Sequence, residues 1–321
     1  MDILIYLFQN TLPVALPLLL VAFGGMFSER SGVINLALEG IMLFGAFIAC
    51  LFIYFIPTNS MNVHILLLIA TIMAALAGII FSLLLSFAAI NMKADQTIIG
   101  TAMNMFVPAL VLLLCKMSFN SDSVVTGISF RIKEVPGLCD IPLIGDLLFT
   151  NTYATVYVGI VLITILTVVY YKTSFGLRLR ACGEHPHAAD SVGINVHVMR
   201  YAGVSISGFL GGVGGFYYVV GIMNANCNGH TGVAGFGFLA LAVMIFGQWK
   251  PGKIVLAALF FAFMRTLAYS VPLIPFLYNL NINSAYYKML PYVVTMIVLA
   301  FTSKHSRAPK AEGIPYDKGQ R

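Results

Sequence analysis

The chain has 321 residues, of which 60% are hydrophobic and only 9% charged, with a formal net charge of +6. A soluble domain would carry roughly 25% charged residues, so the composition excludes a water-soluble globular protein and points to an integral protein of the lipid bilayer. The cationic excess reads as the topology signal of cytoplasmic loops rather than a nucleic-acid footprint, and the five cysteines lack the spacing of a metal site or a disulfide framework.

In chain order, apolar runs fall at 3–26, 33–56, 62–90, 96–116, 153–171, 198–221, 233–247, 252–272 and 286–303. Runs of about 20 residues can cross a hydrocarbon core of ~30 Å. Helices and closed barrels alone satisfy every backbone group in lipid, and no run alternates as a barrel strand does. The expectation is an all-α polytopic bundle of about nine (eight to ten) transmembrane helices. It occupies 1–303 and is followed by a basic cytoplasmic tail, 304–321. The first run has Asp2 and no cation before it, so it reads as a retained span rather than a cleaved leader.

The segment Ser28–Gly40, SERSGVINLALEG, is unusually polar for membrane depth. Asn35 and Glu39 stand four apart, which on a helix gives one face, and Gly32 and Gly40 allow the helix to break. Intramembrane ionisable groups are costly and tend to face a cavity or a partner. A discontinuous helix lining a polar translocation pathway is therefore expected, against the plainer reading of a capped helix start. Gln96, Thr97, Thr101 and Asn104 offer a second polar face, and Arg265 lies deep in its own run, within reach of Glu39 or a helix carboxyl end.

Loop 117–152 carries Asp122, Glu134, Asp140 and Asp146 against Arg131 and Lys133, and its prolines and glycines suggest a folded external cap. The polar stretch 172–200 holds Lys172, Arg178, Arg180 and Arg200. Pro186 suits a first helical turn and Gly193 suits a helix stop, so a short helix is predicted between them. Ala188, Ala189 and Val192 would give it a small-residue face for a partner's groove. Gly208/Gly212 and Gly211/Gly215 have the small-xxx-small spacing of close helix contact, expected within the monomer. Gly247–Ile254 satisfies GxxxxGK but ends in Ile where a Mg²⁺-ligating hydroxyl is needed, so no nucleotide site is read there. No nucleophile–base–acid arrangement and no cofactor motif is found, and the chain is not read as an enzyme.

If 172–200 is cytoplasmic, alternation puts 28–32, 91–95, 248–253 and the tail on the same side. That side would then hold thirteen of the 18 Lys and Arg residues: Arg30, Lys93, Lys172, Arg178, Arg180, Arg200, Lys250, Lys253, Lys304, Arg307, Lys310, Lys318 and Arg321.

SERSGVINLALEGIMLFGA (28–46), NMKADQTIIGTAMNMF (91–106), SFGLRLRACGEHPHAADSVGINV (174–196) and GFGFLALAVMIFGQWKPGK (235–253) together resemble permeases of the ribose-type ABC importer family, in its nucleoside and simple-sugar branch. The resemblance covers nearly the whole chain. It implies a multi-pass permease of the bacterial cytoplasmic (inner) membrane that forms a translocation pathway. ABC ATPase subunits, a second and non-identical permease chain, and an extracytoplasmic substrate-binding protein would be its partners. Residues Pro186–Val192 would be the coupling helix, with Glu184, His185, Pro186, His187, Ala188, Ala189, Asp190, Val192 and Gly193 at the ATPase contact. Asn35, Glu39, Gln96, Thr97, Asn104 and Arg265 would line the pathway. The cargo is left open between a nucleoside and riboflavin or another ribityl or sugar compound. A rival class, ion-coupled secondary transport, would use Glu39 as its midplane carboxylate.

Overall fold

A computed structural model describes residues 2–56, 62–134, 150–229, 232–271 and 308–319, with isolated positions between them. Seven helices are long and apolar enough to cross a membrane: α1 (Asp2–Arg30), α2 (Leu38–Phe55), α3 (Val63–Ser86, closing in a π turn over Phe87–Asn91), α4 (Gln96–Phe119), α5 (Ala154–Lys172), α8 (Val196–Gly221) and α10 (Pro251–Ser270). Two short helices, α6 (Ser174–Glu184) and α7 (Pro186–Ser191), occupy the polar stretch. Helix α9 (Phe236–Phe246) has 11 residues and is therefore about 16 Å long, half a hydrocarbon core. The run 233–247 is thus corrected from a span to a half-helix. The ninth run, 286–303, lies outside the described residues except for four helical positions.

Helices α1 and α8 form the centre, with 89% and 83% of their apolar windows buried, against 28% for α4 at the edge. Glycines on α8 make this possible. A Cβ on Gly212 would strike the carbonyl of Ala74 on α3, and one on Gly215 would strike that of Met42 on α2. Gly208 abuts Ser82 and Gly78 on α3, and Gly214 abuts Val21 on α1. Both small-xxx-small pairs therefore serve packing within this chain, where backbone proximity stands in for the weak hydrophobic drive between helices in lipid.

The loop expected to be a folded cap carries short antiparallel pairings. Strand β1 (Ser123–Val125) pairs with β4 (Asn226–Asn228), which follows α8, and β2 (Arg131–Glu134) pairs with β3 (Thr150–Tyr153). Cys227, sited on β4, is a buried free thiol, as are Cys50, Cys115 and Cys182. The residues near 28–32, 91–95, 172–200 and 248–253 gather on one face, and there the chain's last described segment, 308–319, folds over them. This is the described part of the expected basic tail. It is packed, with Pro309, Ala311 and Tyr316 buried.

Gly212→Val should cost about 3 kcal/mol or more, the upper end for overpacking, because the atoms it meets are backbone and cannot yield. Gly252→Ala, with nothing within 4 Å of the added Cβ, should leave stability unchanged or slightly raised. Thermal melting of the two purified variants in detergent checks the contrast.

Candidate functional site

Helix α1 is stopped by a Schellman closure. Val33 N–H donates to Ser28 O (3.2 Å) and Gly32 N–H to Glu29 O (2.9 Å). Gly32 takes φ +98°, and a Cβ there would come within 2.9 Å of Arg200 Nη2, so both the turn and the approach of that guanidinium require glycine. From Val33 the chain does not resume a helix until Leu38. This is the break expected in the sequence, but its geometry differs. Asn35 and Glu39 do not share a helix face, because the four-residue rule holds only where the intervening residues are helical.

Backbone without helical partners inside a membrane must be paired by other groups, and these come from α4 directly and from α8 by way of Asn35. From α4, Gln96 Oε1 accepts from Ile34 N–H (2.7 Å). Asn104 Oδ1 accepts from Gly40 N–H (2.8 Å) while its Nδ2 donates to Leu36 O (2.6 Å). Gly40 N–H and Leu36 O are the two groups that a continuous helix would join to each other, so the Asn104 amide stands as a wedge in the ladder. Between Gln96 and Asn104, Gly100 lets Leu36 and Ala37 lie against α4. From α8, Ser207 Oγ accepts from Asn35 Nδ2 (2.8 Å), and Asn35 Oδ1 accepts from Ala37 N–H (3.1 Å).

Glu39 points to the half-helix. Its Oε1 accepts from Gly235 N–H (2.8 Å) and its Oε2 from Gly237 N–H (2.6 Å). The carboxylate thus caps α9, whose own N-cap residue, Gly235, has no side chain to do so. It also meets the positive end of the helix dipole. Arg265 lies 4.2 Å from the centre of the Phe236 ring at the first turn of α9. It is within electrostatic reach of Glu39 but forms no direct ion pair with it among the described residues.

The far end of α9 is also held by a carboxylate. Glu29 accepts from Trp249 Nε1–H, and Arg30 donates to Trp249 O (3.4 Å) while pairing with Glu184 (3.2 Å). Trp249 was hidden in the sequence inside the rejected GxxxxGK match; being the only tryptophan of the chain, it gave the one available signal. Glu29 and Glu312 share a hydrogen bond, and burial pushes the Glu312 carboxyl above its usual range, with that bond and Arg30 pulling it back.

The expected pathway residues therefore divide. Asn35 is fully buried, and Asn35, Gln96, Asn104 and Glu39 hold the break and the half-helix. Thr97 and Thr101 are exposed on the flank of α4 beside the stripe of Gln96 and Asn104, and among the described residues Thr101 Oγ1 bonds carbonyls of its own helix. Ser207 was missed, because a lone serine amid glycines gives no signal.

On the gathered face, α7 forms as expected, with Pro186 in its first turn and a second Schellman closure at Gly193, where Ile194 N–H donates to Ala189 O (3.1 Å). Ala188 and Val192 are exposed. Ala189 is not. It is buried against Cys182, Val196 and Tyr316, so its place on the partner-facing surface is corrected. Glu184 is engaged by Arg30, and Asp190 by Lys318 (3.7 Å), while His187 stacks near Tyr316 at 5.2 Å.

Asn104→Leu would leave Leu36 O and Gly40 N–H without partners and should lower stability by about 1–3 kcal/mol. Thr101→Val should be neutral. Denaturation of both variants in detergent, followed by tryptophan fluorescence, distinguishes them, since Trp249 reports on the adjoining half-helix.

The family described as branched-chain amino acid transport system / permease component matches residues 7–299. The chain is 42% identical to the guanosine ABC transporter permease protein NupQ of Bacillus subtilis, over 100% of this chain and 99% of that one. It is 40% identical to the nucleoside ABC transporter permease protein NupC of Lactococcus lactis, over 97% and 96%. A second Lactococcus nucleoside permease, NupB, is 22% identical over 80% of this chain and 71% of its own. No solved structure matches. A broken helix, a half-helix and at least seven apolar spans, together with a match over nearly the full length, make this chain a member of the ABC transporter permease family, a membrane-embedded subunit and not itself an enzyme.

Proposed function

We propose that the chain forms part of the translocation pathway of a nucleoside importer in the bacterial cytoplasmic membrane. The observation that carries this reading is the end-to-end identity of 42% with a guanosine permease. In this reading separate ATPase subunits drive the cycle, an extracytoplasmic binding protein delivers the nucleoside, and a second permease chain completes the pathway, a reading supported by the two nucleoside permeases, NupC and NupB, named in Lactococcus. The cation-rich face that gathers Arg30, Lys93, Arg200 and Lys318 is then cytoplasmic, and α7 is the coupling helix. Its exposed residues Ala188 and Val192 meet the ATPase, together with His185 and the half-buried Asp190 at the rim.

The pathway opens where the unwound segment and α9 move relative to α4. Polar groups released by that movement, Asn104 and Gln96 foremost, then offer transient hydrogen bonds to ribose and base. Weak binding suits a conduit, because affinity belongs to the delivery protein and the cargo must leave. Glu39 serves as a cap rather than an ion-coupling site, since its two oxygens already hold the backbone of α9.

Cells carrying the complete system should take up labelled guanosine. Uptake should vanish on inactivating the partner ATPase and should survive a protonophore while ATP is maintained. Uptake that instead collapses with the proton gradient would favour ion coupling, and competition by riboflavin alone would shift the cargo. Ala188→Arg should weaken ATPase association at least about tenfold, the scale of an interface hot spot, as read by co-purification. Ala189→Arg should fail at an earlier step, by burying an unpaired cation among apolar neighbours.

A further inference from the structure

On the cation-rich face, the segment 308–319 touches the break, α6, α7, α8 and the turn between α3 and α4. Ala311 N–H donates to Gly183 O at the end of α6 (2.9 Å), and Gly313 N–H donates to Gly32 O at the break (3.2 Å). Arg200 Nη1, from α8, donates to Ile314 O (2.9 Å). Tyr316 lies between the rings of His187 on α7 and His197 on α8, at 5.2 and 5.5 Å, and is buried with Ala189 and Cys182. Asp317 pairs with Lys93 between α3 and α4 (2.6 Å), and Lys318 with Asp190 on α7 (3.7 Å).

Helix α7 has only six residues and cannot hold a fixed pose by its own hydrogen bonds, since helix formation needs far longer segments in isolation. Its buried side is a single alanine. What that alanine packs on includes Tyr316, a residue of the chain terminus. The same segment is bonded three residues earlier to Gly32, the residue from which the unwound 33–37 departs.

We propose that residues 308–319 are a strap, anchored by Tyr316, that positions α7 against the break and carries movement of α7 to it. This rests on the reading of α7 as the ATPase-docking helix and adds a second route from it to the break, made of non-covalent contacts at both ends. The first route runs along the chain from α7 into α8. The strap braces on α8 through Arg200 and His197 and reaches the turn whose geometry sets the unwound segment. Tyr316 acts chiefly through its ring, its hydroxyl adding a bond donated to Asp190 on α7, and is a positioning residue.

The complete complex, reconstituted in vesicles with its ATPase subunits and labelled guanosine, tests this by the amount of nucleoside moved per ATP hydrolysed. Tyr316→Ala should retain bound ATPase subunits yet lower that ratio about tenfold, the middle of the range for coupling residues. Tyr316→Phe, which keeps the ring, should restore it. A wild-type ratio in Tyr316→Ala overturns the strap while leaving α7 as the docking helix. Full ATPase association in Ala188→Arg overturns the docking reading instead. Should Tyr316→Ala fail to insert, the exposed pair decides. Asp317→Lys should lower the ratio about twofold, as suits a surface ion pair, and Lys93→Glu added to it should recover the loss. An unchanged ratio in Asp317→Lys then overturns the strap.

Discussion

An unwound backbone at membrane depth is tolerated only when its amides and carbonyls find partners in the protein, and residues 33–37 are that backbone. Everything distinctive about the chain can be traced to this demand. Gln96, Gly100 and Asn104 recur every four residues on α4 because they run beside the unwound segment. Two of them supply amides, and the third supplies room. Asn35 turns back on Ala37 and across to Ser207, and α8 comes close enough for that contact because its glycines let it sit among α1, α2 and α3. The glycine-rich helix and the polar break are thus one solution rather than two features.

The membrane character, the helices, the break near the N-terminus and the short helix at 186–191 were legible in the sequence, since each has a local cause: apolar length, a polar run at depth, Pro186 and Gly193. Side-chain direction was not. In PHAADS no strong apolar–polar contrast distinguishes Ala188 from Ala189, so only the tertiary surroundings reveal that one faces out and the other in. The relation of Asn35 to Glu39 failed for another reason. Spacing rules presuppose a helix, and the helix is absent where they were applied. The half-helix looked like a span because its apolar run includes residues before Phe236 that are not helical, and the packing of 308–319 was not legible because its anchors, backbone bonds, Tyr316 and two ion pairs, have no local pattern.

The contacts that went unseen share a feature. Each involves a group whose partner lies far along the chain: Asn104 with Leu36, Glu39 with Gly235, Trp249 with Glu29, Tyr316 with His187. Polar residues in a membrane protein announce that they are satisfied somewhere, but not where. A motif test can be misled in the same way. The GxxxxGK match owes its glycines to the end of α9 and the first turn of α10, and its Lys253 donates to Gln248 within the same turn.

The two carboxylates that hold α9 suggest how the parts move together. Glu29 precedes the break and Glu39 follows it, yet Glu29 reaches Trp249 just beyond the C-terminal end of α9 while Glu39 caps its N-terminal end. The unwound segment and the half-helix are therefore tied to each other at both ends, and neither can shift alone without breaking a carboxyl hydrogen bond. A pull on Gly32 is then not absorbed locally. In the proposed cycle it displaces α9 as a unit relative to α4, whose contacts with the break are three side-chain amide bonds. The seam that parts in that cycle is the one lined by Gln96 and Asn104, and this is how the proposed function links their structural role to a place along the pathway.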